Sequence, residues 1–308
     1  MTRAASCRSL AGSKHGTFGG NDRSCHGGFV SRPLPFRTVE LSDPALELDG
    51  LRQVTVHSAA LQRRADVTVY APSASGRMPL VVLLHGVYGS HWAWTLRGGA
   101  HRVLEGLVAA GRVRPMVLVM PSDGLWGSGS GYLPRAGENA EQWIVDEVPL
   151  VAGIALPQVE ISQVCIAGLS MGGFGALRLA GKYPHRYAAA AGMSSITHRD
   201  DMSLFVPESI DHYAVAPGEA GVADVLRAAE ELPRIRFDCG RDDALIDANR
   251  RLHGELVAAG IGTSTTSSTA GTTGRTGHST WRTRCNSSIT VPEAPRFART
   301  FQWRRAPG

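Results

Sequence analysis

Lysine is nearly missing from the 308 residues: Lys14 and Lys182 stand alone, and arginine carries the positive charge. Such a bias reflects GC-rich coding rather than an arginine-built binding surface. No run of about 18 apolar residues occurs, which argues against a membrane-spanning helix. The opening stretch MTRAASCRSLAGSKHGTFGG lacks the apolar segment of a secretory signal, so the expected location is cytoplasmic. Cysteine is scarce and odd in number, at five; Cys165 and Cys239 lie in apolar, strand-like runs and read as reduced core thiols. There is neither a metal-ligand cluster nor a phosphate-cradling glycine loop, and no cofactor or metal is expected.

The chain is basic, with a pI near 9.2, yet its charge is unevenly placed. Residues 1–38 carry a net +5 and residues 263–308 a net +6, so the middle, 39–262, is left at −6 of the total +5. Basicity therefore sits on two ends without apolar periodicity, and no nucleic-acid partner is expected.

Three regions follow from composition. Residues 1–38 are rich in Ser, Gly and Arg and are expected to be a disordered extension. Residues 39–262 carry the hydrophobic pattern of one folded domain. Residues 263–308, starting TSTTSSTAGTTGRTGHSTW, lose that rhythm and are expected to be an aberrant, disordered tail. Within the middle region, RQVTVHSAAL and ADVTVYAP alternate as an antiparallel pair would. PLVVLLHG is a continuous apolar run, as in a buried parallel strand. Helical and strand patterns then alternate through DANRRLHGELVAAG, which predicts an α/β fold: a doubly wound, mostly parallel sheet with helices on both faces.

The motif GLSMGG centres a G-x-S-x-G pattern on Ser170. A strand pattern precedes it and a helix pattern follows at once, the context in which this turn exposes a nucleophilic hydroxyl above a sheet. LLHGVYGSHW follows another buried strand; there the Val87 N–H is expected to join that of Met171 as an oxyanion donor. His85 precedes the serine and reads as a loop-fixing residue. The acid should follow on a later strand, where FDCGRDDAL offers Asp238, Asp242 and Asp243. If the order serine, acid, histidine holds, only His253 and His278 remain as bases. His253 lies within a helix pattern and His278 within the aberrant tail. Trp92, Trp94, Trp126 and Tyr132 fall on loops after sheet strands; Trp92, Trp126 and Tyr132 are the candidates for lining a substrate pocket.

Residues from about 50 to 262 resemble the esterase branch of the α/β-hydrolases, which holds esterase D-type S-formylglutathione hydrolases, feruloyl and acetyl-xylan esterases, enterochelin esterases and mycolyltransferases. The resemblance is carried by PLVVLLHGVYGSHWAW, MPSDGLWGSGSGYLP, QWIVDEVP, CIAGLSMGGFGALRLAGKYP and CGRDDALIDANRRLHGELVAAGI. It implies the α/β-hydrolase fold and ester hydrolysis through an acyl-enzyme, with Ser170 as nucleophile. It also assigns the acid to Asp243, the Asp of a CGxxD turn. HGVYGS lacks the cysteine that marks S-formylglutathione hydrolases nearby, so that assignment falls away.

The family continues with a strand, a GGHDW-type histidine loop and a last helix, and the written chain has none of these in its tail. A frameshift after about residue 262 accounts for the loss. Read one nucleotide earlier, one permitted back-translation from Thr263 gives HEYHEFDGGHDWTYWSFHLADALQFVD, with the histidine codon overlapping Thr272. The expected function is thus a serine carboxylic-ester hydrolase crippled by loss of its histidine, with the terminal strand and helix also lost. Its substrate would be a small-molecule or glycan-linked acyl ester. The alternatives are an acyltransferase of the mycolyltransferase type and a catalytically inactive remnant.

Overall fold

The computed structural model describes residues 34–73 and 75–268. Its centre is a nine-stranded sheet, built as the alternating and continuous apolar runs require. Strands β1 (Phe36–Leu41), β2 (Arg52–Ser58) and β3 (Arg63–Tyr70) form an antiparallel ribbon. The ribbon joins the remainder through β5 (Val117–Pro121), to which β3 is antiparallel. From there β4 (Gly76–Leu84), β8 (Val159–Leu169), β9 (Ala189–Met193), β10 (Arg234–Gly240) and β11 (Ser264–Ser268) run parallel, in the order β5-β4-β8-β9-β10-β11. A small hairpin, β6 (Pro134–Arg135) with β7 (Glu138–Asn139), lies outside this sheet.

Side chains alternate between two buried faces. On β4, Leu80, Val82 and Leu84 enter one core while Val81 and Leu83 enter the other; on β9, Ala190 opposes Ala189, Ala191 and Met193. A strand buried on both sides must be apolar at every position, which explains why these segments read as unbroken runs. Helix α1 (Ala100–Ala109) covers one face through Leu104 and Leu107. The other face takes α3 (Val148–Ala155), α4 (Met171–Lys182), α5 (Val222–Ala228) and α6 (Ile246–Ala258). A short helix, α2 (Ala140–Gln142), runs into α3 through a wide π-type turn, Trp143–Glu147. Pro149 lies in the first turn of α3, where its missing N–H costs nothing to the helix that follows.

Two expectations change here. The ordered sheet begins at Phe36, so residues 36–38 belong to the domain and not to an extension. The expected loss of the terminal strand is also corrected. Ser264–Ser268 pairs in parallel with β10, from Arg236 opposite Ser264 to Gly240 opposite Ser268. Strand pairing uses backbone groups that every non-proline residue carries, so a Ser/Thr segment can occupy this position despite its polarity. The expected loss of the last helix, like residues 1–33 and 269–308, lies outside the described residues.

Candidate active site

Strand β8 ends at Leu169 and α4 begins at Met171, which leaves Ser170 alone in the turn, with φ 57° and ψ −117°. A non-glycine residue with positive φ is strained and persists only where its surroundings hold it. Here the Ser170 N–H donates to the Met193 carbonyl at 2.9 Å. Its carbonyl accepts from Phe174 N–H at 3.0 Å and from Ile196 N–H at 3.2 Å. The glycines of the motif are needed for space: a Cβ on Gly168 would lie 2.0 Å from the Gly172 carbonyl oxygen, and one on Gly172 would lie 2.2 Å from that of Leu84.

The loop after β4 passes beside the serine. A Cβ on Gly86 would stand 3.4 Å from Ser170 Cβ and 3.9 Å from its Oγ. Val87 and Met171 meet across Gly129, whose missing Cβ would fall 2.6 Å from Met171 Sδ and 3.2 Å from Val87 Cγ1. Among the described residues, neither the Val87 nor the Met171 N–H donates to a backbone carbonyl. His85 is buried and both its ring nitrogens are engaged. Nδ1 donates to the Gly86 carbonyl at 2.8 Å, and Nε2 accepts the Asp123 N–H at 3.2 Å. Its own carbonyl takes the Tyr132 hydroxyl at 3.0 Å.

Tyr132 must accordingly be removed from the candidate pocket. It is 0% exposed, its ring packs where Gly175 leaves room, and burial drives its hydroxyl well above the usual range. It supports the His85 loop from beneath and presents no surface to a substrate. Trp126 is half-buried, with the Arg135 guanidinium 4.0 Å over its ring and His212 and Tyr213 edge-on at 5.5 and 5.9 Å. Trp92 is 40% exposed, whereas Trp94 is buried.

The three aspartates offered by FDCGRDDAL separate clearly. Asp238 is buried within β10, Asp242 is exposed, and Asp243 is buried in the turn beyond Gly240. Asp243 Oδ1 accepts the Leu245 N–H at 3.0 Å, and its Oδ2 has no hydrogen-bond partner. Ser170 and Asp243 thus leave β8 and β10 at the same edge of the sheet, with β9 between them. His253 is not part of this grouping. It lies within α6 with its ring 6.3 Å from that of Phe237, a mid-strand residue of β10. His278 and Thr272 lie outside the described residues.

Two residues at this edge escaped the sequence reading. Asp123 is buried and binds the Leu125 and Ser130 N–H groups at 2.9 and 2.8 Å, shaping the loop after β5; the PSDG turn was its only trace. Asn249 of α6 donates its Nδ2 to the carbonyls of Ser195 and Leu245, both at 2.9 Å. Nothing in its helical surroundings marked it. The described cysteines, Cys165 and Cys239, are free and buried, with burial pushing their thiols up to about 11 and about 12. No helix among the described residues is long and apolar enough to cross a membrane.

Known proteins share this fold. The profile of the putative-esterase family matches residues 58–214, just over half of the chain. An endo-1,4-beta-xylanase/feruloyl esterase of Xylanibacter ruminicola is 24% identical over 183 residues, covering 55% of this chain and 25% of that protein. The chain thus spans about a quarter of that relative's length. Among solved structures, a ferulic acid esterase superposes with a TM-score of 0.60 at 23% identity, over 77% of this chain and 91% of the other. A substrate-bound, fluorophosphonate-binding serine hydrolase of Staphylococcus aureus also gives 0.60, at 18% identity, over 71% and 89%. The fold they share with this chain is that of the α/β-hydrolases, and the chain belongs to the putative-esterase family.

Proposed function

We propose that this esterase works through an acyl-enzyme on Ser170 and that the chain as encoded is crippled because its base is missing. Ser170 attacks the ester carbonyl, the Val87 and Met171 N–H groups receive the developing oxyanion, and Asp243 serves to orient a histidine. The conformation of Ser170 carries this reading. Strain at φ 57° in a turn between strand and helix has a purpose if it exposes a nucleophile. Asp243 adds support, since a buried carboxylate with one oxygen lacking a donor suits a partner imidazole.

The tail is, in this reading, the right DNA in the wrong frame. Strand β11 occupies the place where the shifted frame reads EYHEF, one residue before its GGHDW. The substrate is a small-molecule or glycan-linked acyl ester; Trp92 and Trp126 remain the aromatic candidates beside it.

Expression of the encoded chain and of its frame-restored form tests this, with short-chain and aromatic acyl esters as substrates and Ser170→Ala as the blank. Loss of a triad member lowers turnover by on the order of 10⁶. The restored form should therefore far exceed the encoded one. Ordinary enzyme rates from the encoded chain, well above the blank, would discard the missing base.

A further inference from the structure

The acid turn and the helix that follows it each leave one buried acceptor unmet. Asp243 is 6% exposed, with Oδ1 held by the Leu245 N–H and Oδ2 without a donor. Asn249 is 3% exposed; its Nδ2 serves two carbonyls while its Oδ1 has no partner. Unmet buried acceptors are costly, and a carboxylate more so than an amide. A ligand that relieves them must donate hydrogen bonds and tolerate positive charge.

The spacing narrows the choice. Ser170 and Asp243 follow strands two apart in the sheet, roughly 10 Å between backbones. The turn after β9 is tied to both sides: Ser170 N–H donates to Met193, and Ser194 N–H donates to the Asp238 carbonyl at 2.7 Å. A separation of two strand spacings is one that a single small ring with a nitrogen on either side, taken together with the two side chains, is able to bridge.

We propose that the Ser170–Asp243 pair binds free imidazole and uses it as a diffusible base, making the encoded chain an imidazole-dependent esterase. The proposal rests on the roles given above to these two residues. The ring N–H donates to Asp243 Oδ2 while the other nitrogen accepts the Ser170 hydroxyl proton. A lone pair of Ser170 Oγ forms the bond to the ester carbonyl carbon as the C=O π bond breaks, its pair moving onto the carbonyl oxygen. As the intermediate collapses, the carbon–alkoxy bond breaks and the imidazolium returns its proton to the departing alcohol. Water then adds to the acyl-enzyme by the same route, releasing the carboxylic acid and restoring both Ser170 and neutral imidazole.

The experiment follows 4-nitrophenyl acetate hydrolysis near neutral pH against rising imidazole. The rate of the Ser170→Ala chain is subtracted, because imidazole cleaves activated esters by itself. A parallel series uses 1-methylimidazole, a base of similar strength with no N–H for Asp243. The expected result is a saturable, Ser170-dependent rise of about 10²-fold, absent with 1-methylimidazole and lost in Asp243→Ala. Ligand-observed NMR should show imidazole contact with the native chain and not with Asp243→Ala. Should Asp243→Ala fail to fold, the 1-methylimidazole series alone decides. Equal support from 1-methylimidazole, a rise that never saturates, or no Ser170-dependent rise would overturn the proposal. Those outcomes leave the missing-base reading standing if the frame-restored chain is active. High activity without any imidazole would overturn both.

Discussion

The Asn249 side chain reaches from α6 to the Ser195 carbonyl at 2.9 Å, joining the helix beyond the acid turn to the turn that backs the serine. Through its second bond, to the Leu245 carbonyl, the same amide steadies the residue whose N–H holds Asp243. One buried side chain thereby links the two halves of the site.

Asn249→Ala should remove both side-chain bonds and leave the buried Ser195 carbonyl without its donor, while the Leu245 carbonyl keeps the backbone N–H of residue 249 at 3.0 Å; the cost is about 1–3 kcal/mol. At about 2–4 °C per kcal/mol for a domain of this size, the loss is readable by thermal melting. A melting temperature unchanged within a degree or so would show that these bonds contribute little.

The glycines of the serine turn and of the exposed helices should respond in opposite directions. Gly172→Ala places a methyl 2.2 Å from the Leu84 carbonyl oxygen, so backbone must move. A loss of about 3 kcal/mol or more, or failure to fold, is expected. Gly106 lies inside α1 with no atom within 4 Å of its would-be Cβ. Gly106→Ala should stabilise by about 0.5–1 kcal/mol. Chemical denaturation of both variants checks the pair; equal effects would contradict the crowding described for Gly172.

The network under α4 predicts a pH dependence. Burial opposes ionisation of Glu141, but Arg178, Lys182 and Tyr183 outweigh it and hold its carboxyl below its ordinary value of 4.5. A lowered folded-state value gives stability that is complete above the unfolded-state value and lost as pH falls through the folded one. Arg178 is fully buried and also bonds Glu219 at 2.8 Å, so Glu141→Gln should cost about 3 kcal/mol near neutral pH. Urea melts across the acid range should show the gap between native and variant narrowing below the ordinary carboxylate range. A gap that stays constant would contradict the assignment.

Charge placement predicts no specific nucleic-acid binding, since residues 39–262 are net negative. A gel shift that persists at physiological salt would contradict this.

Local residues announced much of this molecule. Ser170 was legible because its strand, turn and helix are contiguous, and each carries its own pattern. The buried strands were legible because double-sided burial leaves apolar runs. Asp243 was reached through the CGxxD turn, since three neighbouring aspartates differ in burial and not in local pattern. What stayed hidden was set by distant packing. Tyr132 looks like any aromatic on a glycine-rich loop until His85 and Gly175 are placed around it. Asn249 looks like any polar helix residue until Ser195 arrives from 54 positions away. Strand β11 was misjudged because side-chain polarity is a guide to burial and not to backbone pairing.

That strand has a practical consequence. Ser268 pairs with Gly240, three residues before Asp243 and at the edge that carries Ser170. Residue 268 is therefore a ready attachment point. A short histidine-bearing loop fused there would be delivered to the serine and acid turns without altering any residue before it, and the domain could serve as a scaffold in which the third member of the proposed triad is chosen by design.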